Sequence, residues 1–181
     1  MMKLIAVTSP HFIEHEAERI ERLLECEGFW AVHLRKPGAS RADCVRLLDR
    51  LPESCVRRIV VNDHFDLIHD YPLMGIHLNR RNPALPPGYA GQRSCSCHTL
   101  AEVSQWKPEM DYVFLSPIFD SISKSGYHSA FTLEVLQQAA AHNIIDEKVV
   151  ALGGVTPDKV KWLRQIGFGG AAMLGAVWGE K

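Results

Sequence analysis

The sequence lacks any uncharged apolar run of the roughly 18 residues that a transmembrane helix needs. The longest uncharged stretch, from Gly167 to Gly179, is too short and is rich in glycine. An excess of one charge is also missing, because 20 Lys and Arg residues stand against 21 Asp and Glu residues among 181. Without a block of like charge, the composition gives no support to a general nucleic-acid or anionic-membrane surface. We therefore expect neither nucleic acid nor a membrane as a partner.

A secretory signal is missing as well, since the N-terminal apolar run from Leu4 to Val7 is much shorter than the core of a signal peptide. The five cysteines are an odd number, in a chain long enough to bury a core without disulfides. Three of them stand singly in helical or loop segments, where reduced thiols pack as small apolar groups. These features predict a cytoplasmic protein with free thiols, folded as a single domain over residues 1–181.

Short apolar runs alternate with amphipathic segments along the whole chain, and eight of these runs are typical of strands buried on both faces. They are Leu4 to Val7, Ala31 to Leu34, Ile59 to Val61, Gly75 to Leu78, Ser94 to Cys97, Tyr112 to Leu115, Val149 to Leu152 and Ala171 to Leu174. Eight strands that alternate with helices predict an α/β fold, a compact (β/α)8 TIM barrel. The alternative is an open doubly wound sheet, whose nucleotide site needs a glycine-rich first turn. The first turn here, Thr8 to His11, contains no glycine.

The helices between these runs have recognisable ends. An apolar stripe predicts the first helix, and it consists of Ile13, Ala17, Ile20 and Leu24. Ser40 is expected to cap a helix that continues through Leu51, and Thr99 with Glu102 has the spacing of a capping box. A further helix is predicted from Leu133 to His142, and another opens at Thr156-Pro157-Asp158 and stops at Gly167.

Only seven residues follow Leu174, the end of the eighth predicted strand. We therefore expect the last helix of the barrel to be short or missing. The chain is then either trimmed at this point or covers the exposed face by association with another copy, as a homo-oligomer.

Polar residues and glycines lie at or just after the ends of the apolar runs, where barrel enzymes have their active sites. In chain order they are His33, Arg35, Lys36, Asn62, Asp63, His77, Ser96, His98, Ser121, Ser123, Lys124, Gly153, Gly154 and Gly175. Arg35 offers a planar donor fork to phosphate oxygens, and Lys124 offers a movable charge. Paired glycines let backbone amides approach a phosphate, and Asp63 is a hard oxygen ligand of the kind magnesium prefers. The set predicts binding of small phosphorylated substrates together with a metal ion.

Each of these features also has a purely structural interpretation. Gly153-Gly154 could be a tight turn, Asn62-Asp63 could cap the short helix that follows, and His77 suits a hydrogen-bonded core residue. The segment from Cys95 to His98 has the composition of a zinc cluster, but alternation on a strand places its cysteines on one face and Ser96 and His98 on the other. A second ligand pair at a recognised spacing does not accompany it. The joint placement of polar residues at strand ends carries the functional prediction.

Seven segments, in order along nearly the whole chain, resemble the thiamine phosphate synthase family and its TenI-like thiazole tautomerase relatives. They are VHLRK, RIVVNDHFDL, GIHLNRRNP, SCSCHTLAEV, DYVFLSPIFDSISK, VVALGGVTPDKV and GFGGAAMLGAVW. The fifth and the sixth are the most specific. The resemblance implies a (β/α)8 transferase of thiamine biosynthesis, which joins hydroxymethylpyrimidine pyrophosphate to thiazole phosphate and releases pyrophosphate.

The resemblance also implies roles for individual residues. Arg35 and Lys124 would hold pyrophosphate, Asn62 and Asp63 would serve pyrophosphate and magnesium, and Ser96 would lie beside the pyrophosphate. The thiazole phosphate would be bound by two hydroxyls and a small-residue cradle, namely Ser121, Ser123, Gly153, Gly154, Gly175 and Ala176.

Two departures from the family pattern leave other functions open. The family motif H-L-G-Q-x-D ends here on the neutral Asn82, so the predicted magnesium site keeps only one of its two carboxylates and is weakened. The family motif Q-x-R-x-K begins here with His33 and ends with Pro37. With a histidine at the first position, the motif resembles that of the metal-free tautomerase branch. His33 or His98 could supply the general acid or base that a tautomerase needs. The sequence favours the synthase, with the tautomerase or a non-catalytic thiamine-phosphate-binding regulator as alternatives.

Overall fold

The computed structural model describes residues 2–119 and 131–179. In these ranges eight parallel strands follow one another in sequence order around a closed barrel. The strands are β1 (Lys3–Val7), β2 (Ala31–Leu34), β3 (Ile59–Val61), β4 (Gly75–Leu78), β5 (Gln92–Cys97), β6 (Tyr112–Leu115), β7 (Val149–Ala151) and β8 (Gly170–Met173). The predicted (β/α)8 barrel is confirmed. Its strands coincide with the apolar runs to within two residues at each end.

The α-helices that the structure describes lie between the strands and after the last of them. They are α1 (Glu16–Glu25), α2 (Arg41–Leu48), α3 (Glu53–Val56), α4 (Leu100–Trp106), α5 (Leu133–Ala141), α6 (Val160–Ile166) and α7 (Gly175–Trp178). Short 3-10 helices occupy Phe65–His69, Lys107–Glu109 and Pro157–Lys159. Among the described residues no helix is both long and apolar enough to cross a membrane.

The chain forms two compact units, which we describe separately. The N-terminal unit comprises residues 6–93. In it β2 pairs with β3 in the register His33↔Val60, and β3 pairs with β4 in the register Val61↔Ile76. Its core is built from β-branched and leucine side chains with almost no exposed surface; the largest include Ile20, Leu23, Leu48, Ile59, Leu67 and Ile76. This burial of apolar area is the main force that stabilises the unit.

The C-terminal unit comprises residues 1–5 together with residues 94–181. Here β5 pairs with β6 in the register Cys97↔Leu115, and β6 pairs with β7 in the register Leu115↔Ala151. The amide of Lys3 donates to the carbonyl of Gly169 at 2.9 Å, which holds the first residues of the chain in this unit. Its largest fully buried side chains are those of Ile5, Tyr112, Phe114, Leu115 and Leu136.

Each unit starts one helix with a capping box, and both were expected from the sequence. The Ser40 hydroxyl accepts from the Asp43 amide and the Asp43 carboxylate accepts from the Ser40 amide, at the start of α2. Thr99 and Glu102 form the same reciprocal pair at the start of α4. Each box satisfies two backbone amides that a helix leaves without internal partners.

Several helix boundaries differ from the prediction. The helix expected to open at Thr156-Pro157-Asp158 begins as the 3-10 helix Pro157–Lys159 and becomes α-helical at Val160. α1 begins at Glu16 rather than at Ile13, and Ile13 lies before the helix with 37% of its surface exposed. α2 ends at Leu48 rather than at Leu51. The amides of Arg50 and Leu51 bond to carbonyls three residues back, and Pro52 disfavours a helical conformation for the residue before it.

The end of the barrel follows the sequence pattern more closely. α6 stops at Gly167, whose φ of 114° is the left-handed conformation that glycine tolerates. After β8 the chain makes the single-turn helix α7, with its C-cap at Gly179. α7 is thus the helix that the described residues show after β8.

Candidate functional site

Arg35 follows β2 and is held there by a buried hydroxyl. Thr8, at the end of β1, is fully buried, and its Oγ1 accepts from the amide of Arg35 at 2.9 Å and donates to the Arg35 carbonyl at 3.1 Å. One side chain thus satisfies both backbone groups of Arg35, whose own side chain is half-buried. The backbone from which the guanidinium projects is fixed, which lowers the entropy lost when the side chain binds an anion.

Asp63 follows β3 and accepts hydrogen bonds on both of its carboxylate oxygens. Arg81 donates to it through Nε and Nη2, each at 3.1 Å, in a bidentate ion pair. The amide nitrogen of Asn82 donates to Asp63 Oδ1 at 2.9 Å and to the carbonyl of Asn62 at 3.0 Å. Because the Asn82 nitrogen lies between two acceptors, its amide orientation is set by the hydrogen bonds. The sequence singled out Asp63 and Asn82 but missed Arg81.

A turn after β4 presents Arg81 to Asp63. The side-chain oxygen of Asn79 accepts from the amide of Arg81 at 3.0 Å, and its side-chain nitrogen donates to the Asn62 carbonyl at 2.7 Å. The backbone of Asn79 also exchanges hydrogen bonds with that of Asn82, at 3.0 and 3.1 Å. Asn79 therefore ties this turn to the end of β3. The sequence did contain a signal for this turn, because a polar residue and two arginines come directly after the strand.

The alternative in which Asn62-Asp63 caps the following helix is wrong. The N-cap of the 3-10 helix Phe65–His69 is His64, which has a left-handed φ of 52° and makes no side-chain capping hydrogen bond. Its Nε2 lies 2.8 Å from the carbonyl of Ala39. Asp63 is left to pair with Arg81 and Asn82. Asn62 is 5% exposed, and its Oδ1 is buried without a hydrogen-bond partner of normal geometry in the part of the chain that the structure describes.

The charges around Asp63 are predominantly positive. Burial lowers the pKa of Arg35, and repulsion from Arg81 lowers it further, while attraction to Asp63 acts in the opposite direction. The two guanidinium groups therefore repel each other, and the single Asp63 carboxylate balances only one of their two positive charges. Such an arrangement favours a bound anion over a bound cation.

This donor set does not fit a magnesium ion. Magnesium needs near-octahedral coordination by oxygen ligands, usually one or two carboxylates with water and substrate phosphates. Both oxygens of Asp63 already accept from Arg81 or Asn82, and Asn82 turns amide hydrogens toward the place of a second carboxylate. Residues 2–119 and 131–179 contain no group of three or more His, Cys, Asp or Glu side chains that could hold a metal ion.

His33 and His77 pack against each other inside the N-terminal unit. Their rings meet edge to face with centroids 5.0 Å apart, and they are 0% and 1% exposed. Burial lowers the pKa of His77 to about 3, with a contribution from the charge of Arg35. Burial and the neighbouring His77 hold the pKa of His33 well below its usual value. Both rings are therefore neutral at physiological pH, which makes His33 a poor general acid.

Lys36 follows Arg35 but is turned into the protein. Its Nζ lies 2.6 and 2.8 Å from the two carboxylate oxygens of Glu16, and it also donates to the carbonyls of Ser9 and His11. The two side chains are 1% and 2% exposed. The sequence counted Lys36 among the cations that follow the strands, whereas the structure makes it the internal partner of α1.

In the C-terminal unit the turn after β7 is built from Gly153 and Gly154, with φ values of 91° and 61°. A Cβ on Gly153 would lie 2.9 Å from Cα and Cβ of Pro117, so glycine is required for conformation and for space. The carbonyl of Gly153 accepts from Phe119 at 3.1 Å, and that of Gly154 accepts from Lys159 Nζ at 2.6 Å. The turn is thus fixed against the segment that follows β6.

His98 and Ser116 are the first residues after the paired strands β5 and β6. Nδ1 of His98 lies 3.0 Å from the carbonyl of Ser116, and the imidazole is exposed. Ser96, also on the β5 side of this unit, is half-buried, while Cys95 and Cys97 are buried. The predicted alternation of the two cysteines with Ser96 and His98 is confirmed.

The remaining predicted site residues fall into two groups. Gly175 and Ala176 form the first turn of α7, directly after β8. Ser121, Ser123 and Lys124 lie outside the described residues. Their assignment to the thiazole phosphate and to pyrophosphate therefore remains a prediction.

Comparison with known proteins identifies relatives of the whole chain. The thiamine monophosphate synthase family matches residues 4–177. A thiamine phosphate pyrophosphorylase from Bacteroides thetaiotaomicron has a crystal structure with a TM-score of 0.89 and 46% identity, covering 99% of this chain and 86% of that one. The thiamine-phosphate synthase of Erythrobacter litoralis is 29% identical over 174 residues, which are 89% of this chain and 81% of the relative. A thiamine phosphate pyrophosphorylase from Pyrococcus furiosus, at 21% identity and a TM-score of 0.76, shows the same fold.

Proposed function

Because the chain belongs to the thiamine monophosphate synthase family, we propose that it is a thiamine-phosphate synthase. This transferase joins hydroxymethylpyrimidine pyrophosphate to thiazole phosphate and releases pyrophosphate. The observation that best supports this function is the excess of positive charge around the single carboxylate of Asp63. A pyrophosphate leaving group carries several negative charges and needs such surroundings.

The proposed reaction begins with cleavage of the carbon–oxygen bond between the pyrimidine methylene and pyrophosphate. The electron pair of that bond leaves with the pyrophosphate oxygen, and the pyrimidine becomes a carbocation. The ring nitrogen of the thiazole then donates its lone pair to this carbon, which forms the new carbon–nitrogen bond and leaves the ring positively charged. No proton has to move in these two steps, so catalysis depends on electrostatic stabilisation of the departing pyrophosphate.

Within the N-terminal unit, Arg35 would bind the departing pyrophosphate through its guanidinium, whose backbone Thr8 fixes. Preorganised donors of this kind stabilise developing charge without reorganising during the reaction. Asn62 is proposed to serve the pyrophosphate, as the family resemblance implies. Ser96 and Lys124, which belong to the C-terminal unit, keep the pyrophosphate-binding roles that the family resemblance implies.

Within the C-terminal unit, the Gly153-Gly154 turn would bind the phosphate of the thiazole substrate through backbone amides. Gly175 and Ala176, with Ser121 and Ser123, are proposed to complete this phosphate site. The imidazole of His98 is exposed, and no proton transfer is assigned to it in the synthase reaction.

Family membership also implies a requirement for Mg²⁺. The sequence places the ion at Asp63, with Asn82 in place of the second carboxylate. Since the residues around Asp63 do not fit the ion, we assign no step of the reaction to magnesium at this position. The substrates themselves can bring magnesium bound to their phosphate oxygens.

The function is tested by measuring pyrophosphate release from the two substrates, with product formation followed by chromatography. We expect Arg35→Gln to lower kcat/KM by roughly 10-fold or more, because charged hydrogen bonds contribute about 1.5–3 kcal/mol. Arg22→Gln, a substitution of an exposed arginine on α1, is the matched control and should behave as the wild type. Absence of turnover in the folded wild-type protein at every magnesium concentration would exclude the synthase.

The alternatives make different predictions in the same samples. Metal-independent isomerisation of a thiazole carboxylate phosphate, abolished by His98→Gln, would identify a tautomerase. A rise in melting temperature with thiamine phosphate, without either turnover, would identify a regulator that binds this ligand.

We also propose that the protein works in the cytoplasm and as a homo-oligomer. All five cysteines are free thiols, which suits a reducing compartment. Several large apolar side chains are exposed, among them Leu133 at 48% and Trp106 at 37%, and an interface could bury them. Light scattering coupled to size exclusion would report the mass in solution, and a mass of one chain at micromolar concentration would exclude the oligomer.

A further inference from the structure

We propose that Arg81 takes over the charge-neutralising role of a divalent cation at Asp63 and binds the pyrophosphate group directly. The inference rests on the proposed synthase function and concerns its pyrophosphate-binding residues. It makes Arg81 a ligand for the substrate, not merely a surface partner of Asp63. A guanidinium is permanently charged and matches two phosphate oxygens at once, as a metal ion bridges them.

The geometry of the ion pair supports this role. Arg81 uses Nε and Nη2 for Asp63, so Nη1 takes no part in that fork. A guanidinium carries five N–H donors in a plane, and two of them suffice for the carboxylate. Arg81 can therefore keep its pair with Asp63 while it donates to a phosphate oxygen. Asp63 would act as the residue that orients the guanidinium, as carboxylates orient other ligand-binding side chains.

The exposure of the two partners points in the same direction. The side chain of Asp63 is 17% exposed, whereas that of Arg81 is 44% exposed. The carboxylate is thus the inner partner and the guanidinium is the outer one, which solvent and ligands can reach. A cation brought to Asp63 would have to displace Arg81 first and would then meet the charge of Arg35.

The turn that carries Arg81 is built to keep it in place. Asn79 binds the amide of Arg81 and bonds to the end of β3, and Asn82 donates to both Asp63 and the Asn62 carbonyl. A carboxylate at position 82 would lose these donated bonds and would repel Asp63. The neutral Asn82 and the adjacent Arg81 are therefore compatible with each other. With them, Asp63 pairs with a guanidinium group instead of sharing a metal ion with a second carboxylate.

Pyrophosphate binding, measured by calorimetry on the full chain, tests the inference. Titrations are run in EDTA and at a series of magnesium concentrations, and variants are compared at each concentration because magnesium also complexes pyrophosphate in solution. We expect wild-type protein to bind pyrophosphate in EDTA and Arg81→Gln to bind it roughly 10-fold or more weakly, the loss typical of a charge-assisted bidentate contact. The neighbouring Arg80→Gln, at an exposed position, is the matched control and should bind within about twofold of wild type.

A second pair of variants separates the charge of Arg81 from a general effect on folding. Arg81→Lys keeps the charge without the fork and should lose less affinity than Arg81→Gln. The double variant Arg81→Gln/Asn82→Asp restores a carboxylate pair, and its pyrophosphate affinity should increase with magnesium more steeply than that of wild type. Melting temperatures of all variants would report folding.

Two results would overturn the inference: wild-type binding that requires magnesium, or Arg81→Gln binding as tightly as wild type in EDTA. The turnover assay of the two substrates is read separately. Turnover without an effect of Arg81→Gln on pyrophosphate affinity would retain the synthase and reject Arg81 as a ligand. Pyrophosphate binding that depends on Arg81 without any turnover would retain the anion site and reject the synthase.

Discussion

The two compact units present different chemistry after their strands. In the N-terminal unit the strands are followed by charged residues with specific partners. Thr8 bonds to the backbone of Arg35, and Arg81 and Asn82 donate to the carboxylate of Asp63. In the C-terminal unit the strand β7 is followed by a turn with two glycines of positive φ, and the first of them, Gly153, lies close to Pro117. The first arrangement can attract an anion by net charge, and the second can bind one through backbone amides.

The two units are therefore expected to be sensitive to different kinds of substitution. A charged cluster loses function when one charge is removed, even if the backbone does not move. A glycine turn loses function when its shape changes, even if no charge is touched. The buried ion pair between Lys36 and Glu16 is the charge of the N-terminal unit whose removal should cost most.

Lys36→Met is expected to have the largest effect on stability. It leaves the Glu16 carboxylate buried without its cation, and breaking a buried ion pair on one side costs about 3–5 kcal/mol. The loss should appear in the free energy of unfolding measured with urea at neutral pH. The double variant Lys36→Met/Glu16→Gln should recover part of it, because no unpaired charge is left in the interior.

The matched control for this prediction is Arg41→Met, which removes two exposed ion pairs in the same unit, those with Asp66 and Asp70. The side chains of Arg41 and Asp66 are 42% and 57% exposed, so we expect a loss of about 1 kcal/mol or less. Equal losses in Lys36→Met and Arg41→Met would show that the Lys36–Glu16 pair is not the internal anchor of the N-terminal unit.

Gly153→Ala is expected to have the next largest effect, through shape alone. The positive φ and the contact with Pro117 should together cost about 1–3 kcal/mol of unfolding free energy. Because the turn would shift, the affinity for inorganic phosphate should also fall. Binding is measured by calorimetry and stability by urea denaturation.

A second glycine separates the two causes of this loss. Gly28 has a φ of 73°, but a Cβ there would meet no atom within 4 Å. Gly28→Ala should therefore show the cost of backbone strain alone and leave phosphate affinity unchanged. If both variants lose the same stability and neither changes phosphate binding, the contact with Pro117 is unimportant and the turn is not a phosphate site.

The elements that the sequence predicted correctly are those whose formation depends on residues close together in the chain. The apolar runs at β2, β3, β4 and β6 have the predicted bounds, because burial on both faces demands a continuous apolar stretch. Both capping boxes were also recognised, since each one joins a hydroxyl to a carboxylate three residues later.

The pairings that involve residues far apart in the chain were not predictable in the same way. Lys36 pairs with Glu16, 20 positions earlier, and Arg81 pairs with Asp63, 18 positions earlier. The sequence showed Lys36 as a cation after a strand and Asn82 as a missing carboxylate. It could not show that one lysine turns inward or that an arginine is the partner of the remaining carboxylate. Such pairings depend on the direction of each side chain after the strand ends.

His77→Gln is expected to have the smallest effect at neutral pH and a clear effect in acid. The pKa of His77 is lowered to about 3 in the folded protein, so between pH 6.5 and pH 3 the unfolded chain binds a proton at this residue that the folded chain does not. Stability from the neutral ring is therefore fully present above pH 6.5 and decreases as the pH falls, by about 1.4 kcal/mol per pH unit. His33, whose pKa is also lowered, should contribute in the same direction.

Removing the His77 imidazole should therefore flatten the pH dependence of stability in the N-terminal unit. Between pH 7.0 and pH 5.5 we expect the unfolding free energy of His77→Gln to fall by about 1 kcal/mol less than that of wild type. Parallel pH profiles for wild type and His77→Gln would mean that the buried ring accepts a proton in the folded protein.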